Sequence, residues 1–191
     1  MKIKLMIIFS LVTVFIAVWG MSFADNDGDE HGDKEENMRL WNKTVGVTPS
    51  NNRLYQQECG SCHFAYQAGL LPEQSWRNIM GQLDEHFDEN AELDTTEHQD
   101  ILNYLTSNSA DKSNARHAKR IMRSLSNNQA PLRITEVPYI KKEHHEIPDR
   151  LIKDNPKVTS LSHCDRCHQS VAQGSFSEND ILISGYGKWD D

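Results

Sequence analysis

The sequence predicts a mainly α-helical protein, with a helical N-terminal domain and a C-terminal segment of little regular secondary structure. Three observations carry this. Apolar residues recur at three- and four-residue spacing in three stretches between 73 and 125. Beyond 126 that periodicity fades, and four of the six prolines (Pro131, Pro138, Pro148, Pro156) fall there. The four cysteines are split between two short motifs, one in each part.

The first 24 residues stand outside this fold. Lys2 and Lys4 form a positive start, Leu5 to Gly20 an apolar run, and Ser22-Phe23-Ala24 a small-x-small cleavage site. This is the layout of a secretory signal peptide over 1–24, which implies export to the periplasm. The rival reading is an uncleaved anchor, since about 20 apolar residues can span a bilayer. No later segment is apolar enough to span, so no stable membrane insertion is expected after cleavage. Residues 25–45 form an acidic tail, with seven acids and one lysine between 25 and 37. Such a run reads as solvated and disordered, and His31 within it as inert. The net charge of −8 becomes more negative once Lys2 and Lys4 are removed. That balance argues against nucleic acid, whose phosphates need clustered Lys and Arg.

Residues 46–128 are expected to form the first domain. Leu54 and Tyr55 read as packing residues on the helix leading into the first motif. Pro72 opens a helix over 73–86, with Trp76, Ile79, Met80, Leu83 and His86 on one face. A second helix over 97–108 buries Ile101, Leu102, Tyr104 and Leu105, and a third over 113–125 buries Ala118, Ile121, Met122 and Leu125. Lys112, Arg116, Lys119, Arg120 and Arg123 cluster along the third and read as a solvated face. Residues 129–191 form the second domain, extended over Tyr139 to Ile147 and loop-rich elsewhere. Large apolar residues are few for the length, so a bound group is expected to supply core surface.

The two motifs say what that group is. Cys59-Gly-Ser-Cys62-His63 and Cys164-Asp-Arg-Cys167-His168 are both C-x-x-C-H. This is the attachment signature of c-type haem. Cysteines three apart lie on one side of a helical turn and can form thioethers with two vinyl groups of one porphyrin. The following histidine then meets the iron. Two such motifs in an exported chain predict two covalently bound c-type haems, held by Cys59, Cys62, Cys164 and Cys167. A four-cysteine zinc site is the rival, but the pairs lie about 100 residues apart and each is followed by a histidine. A thioredoxin-type disulfide needs a βαβ context that the sequence lacks. Both motifs place a glycine six residues after the histidine, Gly69 and Gly174, each a candidate left-handed helix cap.

Haem function turns on the sixth iron ligand. His63 and His168 supply the fifth. For the first haem His86 is the best candidate, at the end of an apolar stripe, with Met80 as rival. For the second, His144 and His145 lie in the segment read as extended, where neighbours point to opposite faces. Only one of them is expected to reach the iron. His163 abuts its own motif, His98 looks exposed, and His117 on the basic helix is an outside candidate.

The run 59–72, Ser75-Trp76, His86-Phe87, Pro131-Leu-Arg-Ile-Thr135 and the late second motif together resemble the bacterial dihaem cytochrome c family. The resemblance covers about residues 50–183. It implies an N-terminal domain like a class I cytochrome c and a C-terminal haem-binding segment with little regular structure. It also implies bis-histidine irons, held by His63 with His86 and by His168 with His144, with His145 as the alternate. By the same resemblance the redox partners are an oxygen-binding monohaem c-type cytochrome as acceptor and a membrane b-type cytochrome as donor.

The function expected is electron transfer without catalysis. A small peroxidase- or reductase-like haem enzyme, or a gas sensor, is the alternative, and each requires one open iron. The acids Asp84, Glu85, Asp88, Glu89, Glu92, Asp94 and Glu97 around His86 offer a basic partner a docking surface, or simply a soluble one.

Overall fold

The computed structural model describes residues 46–189. The expected signal peptide, the acidic tail and His31 lie outside the described residues. The fold is mainly helical: α1 (Arg53–Glu58), α2 (Glu73–Met80), α3 (Thr95–Ser107), α4 (Arg116–Ser124), α5 (Pro138–Glu143) and α6 (Asp149–Ile152). The sheet is one two-stranded antiparallel ribbon, β1 (Leu182–Ile183) with β2 (Gly187–Lys188). Among the described residues, no helix is long and apolar enough to cross a membrane.

Side-chain capping opens two of the six described helices. Asn52 accepts from the Tyr55 amide to open α1. Asp94 accepts from the Thr96 and Glu97 amides to open α3, so that helix begins two residues before the expected 97. The Asp94 carboxyl is held below its ordinary range by those same amides. The third helix is shorter than 113–125, running Arg116–Ser124.

Two expectations are corrected. The helix expected over 73–86 stops at Met80, because Gly81 caps it with its amide on the Arg77 and Ile79 carbonyls. A separate turn, Leu83–Glu85, follows, and His86 leaves it with non-helical backbone. The segment Tyr139 to Ile147 is not extended. Pro138 is the first residue of α5, where its missing N–H costs nothing and its fixed φ suits a helix.

The larger buried cluster gathers Tyr55 from α1, Trp76 and Met80 from α2, Ile101 and Leu105 from α3, and Ala118 and Ile121 from α4. Val137 and Tyr139, beyond the expected boundary at 128, belong to it as well. Met80 is thus a packing residue, 4% exposed. Trp76 donates its indole N–H to the Ala68 carbonyl at 2.7 Å, satisfying its one polar group in the core. The smaller cluster is Leu151, Ile152, Val158 and Ile183, from α6, the following loop and β1.

The two glycines expected as left-handed caps differ. Gly174 closes a short turn, Val171–Gln173, at φ 76°. Gly69 sits inside a turn with no positive φ; a Cβ there would lie 2.8 Å from Val47 Cγ1. Close packing, not backbone hand, requires that glycine.

Candidate functional site

Each C-x-x-C-H motif begins on a tight helical turn. The first follows α1 directly, Cys59–Ser61, and the second is Cys164–Arg166. Burial pushes the Cys59 thiol up to about 11 and the Cys164 thiol up to about 12. Both sulfurs are therefore neutral before attachment, and as thioethers they no longer titrate. The cysteine pairs do not come together. Among the described residues no group of three or more His, Cys, Asp or Glu is placed to hold a metal ion, so the four-cysteine zinc site has no structural basis.

Opposite each motif histidine stands another imidazole. The His63 and His86 rings are 6.2 Å apart between centres, with planes 20° apart. The His168 and His144 rings are 6.0 Å apart, with planes 73° apart. An iron between two imidazoles needs ring centres roughly 6 Å apart, since each metal–nitrogen bond is about 2 Å. Both pairs have that spacing. The residues fit the two haems that the motifs imply.

The local chain explains how these rings are aimed. His63 has its Nδ1 2.7 Å from the Phe64 carbonyl, which orients the imidazole. His86 is followed by Phe87 at φ 55° and Asp88 at φ 78°. Left-handed backbone at a phenylalanine costs about 1–3 kcal/mol and persists only where surroundings hold it. Here the Arg133 guanidinium lies over the Phe87 ring, 4.0 Å from its centre. The His86 imidazole is held below its ordinary pKa by burial, then by His63 and Arg133.

His144 caps the C-terminus of α5, and its Nδ1 is 2.8 Å from the Ile140 carbonyl. His145 is exposed, with Nδ1 2.7 Å from the Lys142 carbonyl. A helix end, not strand alternation, separates the two. Burial, with His144 and His117 nearby, pulls His168 down to about 4. Its Nδ1 is buried with no hydrogen-bond partner among the described residues. That imidazole is neutral at physiological pH, the form that binds a metal.

The remaining histidines are otherwise engaged. His98 is half-buried rather than exposed, with Nε2 2.8 Å from the Met80 carbonyl at the end of α2. His163 has Nδ1 2.6 Å from the Val158 carbonyl. His117 packs on Gly46 and has Nδ1 3.0 Å from the Tyr139 hydroxyl.

Two cavities adjoin the first facing pair, one at His63 and one at His86. One of about 460 Å³ is lined by Cys62 and His63 from the first motif and by Asp165 and Arg166 from the second. The other, of about 710 Å³, is lined by His86, Phe87, Leu132 and Arg133 and rimmed by Asp84, Glu85, Asp88 and Glu89. Both sizes suit a cofactor-sized group. Sequence reasoning missed Arg133, Phe176 (5.2 Å from the His168 ring between centres) and Tyr66. Arg133 reaches Phe87 from a distant part of the chain, whereas Tyr66 and Phe176 lie close in sequence to the histidines they touch, at spacings that mark no motif.

Comparison with known proteins agrees with this geometry. The family model for dihaem cytochrome c matches residues 55–176. A solved diheme cytochrome type c from Shewanella baltica OS155 is 38% identical, with a TM-score of 0.61, over 74% of this chain and 99% of that one. A diheme cytochrome c from Rhodobacter sphaeroides is also 38% identical, TM-score 0.61, over 68% of this chain and 100% of that one. A second Rhodobacter sphaeroides structure matches at 33% identity and TM-score 0.53, over 67% and 99%. No curated protein matches. The chain belongs to the dihaem cytochrome c family and carries two c-type haems, on Cys59 with Cys62 and on Cys164 with Cys167.

Proposed function

We propose that this chain is a periplasmic electron carrier in which both irons are closed by two histidines. His63 and His86 hold the first, His168 and His144 the second. The observation that carries the reading is the pair of facing imidazoles, 6.2 Å and 6.0 Å between ring centres. His145 is the alternate to His144, but its ring is exposed and turned to Lys142.

When bound, the haems supply one-electron chemistry at neutral pH. Two histidines at each site would leave its iron closed, so little would have to move as the charge changes. Two imidazoles, without a methionine, place the potentials on the low side, since a Met ligand raises them. The surface beside His86 carries exposed Asp84, Glu85, Asp88 and Glu89, which favour a basic partner and faster encounter at low salt. An oxygen-binding monohaem c-type cytochrome as acceptor and a membrane b-type cytochrome as donor complete the proposed chain.

The test is the optical spectrum of the holoprotein, ferric and ferrous, with and without carbon monoxide. Low-spin spectra in both states and no response to the gas are expected. A high-spin component or a shift on adding the gas would mean an open iron and a sensor or enzyme.

A further inference from the structure

We propose that the acidic run 25–36 seats on the basic face of α4 and covers it. Arg116, Lys119, Arg120 and Arg123 are exposed, and their spacing of three and four residues sets them in one stripe along that helix. Like charges at those spacings repel and destabilise the helix that carries them. Nothing at the start of α4 offsets this: its first turn holds no acid, and Ala115 gives it no side-chain cap. Among the described residues Arg116, Lys119 and Arg123 form no ion pair with a carboxylate. Arg120 donates to the Tyr139 hydroxyl at 3.2 Å, with Glu143 and Glu178 nearby. The stripe is therefore a concentrated positive face on a chain of net charge −8.

The chain supplies an occupant of the opposite sign. Residues 25–36 hold seven acids and one lysine, Lys34. The run leads into the described fold at Gly46, whose carbonyl accepts from the His117 amide at 2.8 Å, in the first turn of α4. The His117 ring leaves no room for a Cβ at Gly46, so the entry point is pinned against that helix. The nine residues 37–45 can span about 30 Å. The nine residues of α4 rise only about 14 Å. The run thus reaches the whole stripe, and a tether this short gives a local concentration on the order of millimolar. An acidic protein arriving from solution has to displace it. Salt weakens the contact, because the charges that make it are exposed.

The experiment uses the exported holoprotein and a variant carrying Asp25→Asn, Asp27→Asn, Asp29→Asn, Glu30→Gln, Asp33→Asn, Glu35→Gln and Glu36→Gln. Haem content and optical spectra are matched first. Acetylation of each lysine by an N-hydroxysuccinimide ester is then followed at low and high salt. At low salt Lys119 is expected to react several-fold more slowly in the unaltered protein than in the variant. At high salt the two rates converge, and exposed Lys153 and Lys157 react alike throughout. A carbodiimide is expected to link Lys119 to a carboxylate of 25–36 within one chain. Equal Lys119 rates at low salt would overturn the proposal and leave the stripe to an acidic partner protein. Links found only between chains, in a mixture of isotope-labelled and unlabelled protein, would overturn it in favour of a second copy. If the variant loads no haem, the unaltered protein decides alone: a Lys119 rate that ignores salt, with no link to 25–36, overturns the proposal.

Discussion

The two haem sites are built on unequal foundations. The first motif follows α1 and adjoins fifteen buried apolar residues drawn from helices α1 to α5 and their loops. The second motif sits among turns beside a cluster of four, Leu151, Ile152, Val158 and Ile183. Hydrogen bonds do much of the remaining work there. The Leu182 amide bonds the Cys167 carbonyl at 2.9 Å, and the Ser184 amide the Arg166 carbonyl at 2.9 Å. The proposed distal partner of the second site is an exception. His144 ends α5, which is anchored through Val137 and Tyr139 in the larger cluster. One half of the second site therefore borrows the first site's scaffold, while the half that carries the cysteines depends on its own haem. A region with so small a core gains most of its order from what it binds.

The sharpest way to break this asymmetry is to remove each covalent attachment in turn. Cys164→Ala with Cys167→Ala should strip amide protection from residues 149–189, measured by hydrogen exchange, and leave α3 protected. Cys59→Ala with Cys62→Ala should perturb α1 but leave the packing of α2, α3 and α4. Equal losses of protection in α3 from both double variants would refute the comparison.

A smaller effect is expected from the proposed distal ligands. His86→Ala should turn the first haem high-spin and sensitive to carbon monoxide, and His144→Ala should do the same for the second. His145→Ala should leave both spectra low-spin. A spectral change in His145→Ala with none in His144→Ala would reverse the assignment at α5.

The smallest effect separates the two clusters by packing alone. Ile121 is 0% exposed and Ile183 2%. Truncating either to alanine costs about 3 kcal/mol at a buried isoleucine site. Ile121→Ala should lower the stability of the whole molecule by that amount in denaturant unfolding. Ile183→Ala should act locally, loosening 149–189 while the main transition keeps its midpoint. A shifted main midpoint in Ile183→Ala would show that the two clusters unfold as one.

Much of this was legible in the order of residues. The haem motifs are local, because thioether attachment needs two sulfurs and an imidazole within five residues. The three long helices announced themselves by apolar spacing, since Trp76, Ile101, Leu105, Ala118 and Ile121 all turn inward. Their ends were less visible. The apolar stripe runs smoothly past Gly81, but the backbone does not. In the second part Pro138 reads as a breaker by its residue type, whereas at the first position of a helix it is a starter. The apolar stripe points to His86 for the first site, but the separation of His144 from His145 at the second lies beyond any local pattern.

The sequence by itself determined which chemistry this protein performs: two C-x-x-C-H motifs and a chain too poor in apolar residues to do without what they bind. Tertiary structure decided how the chemistry is arranged. It aimed two imidazoles at the motif histidines through a strained loop at Phe87 and the end of α5. It also laid Tyr66 between the motifs. The physical reason is range: covalent attachment is settled within one turn of chain, whereas ring facing and hydrogen bonds across 96 residues exist only once the chain has folded.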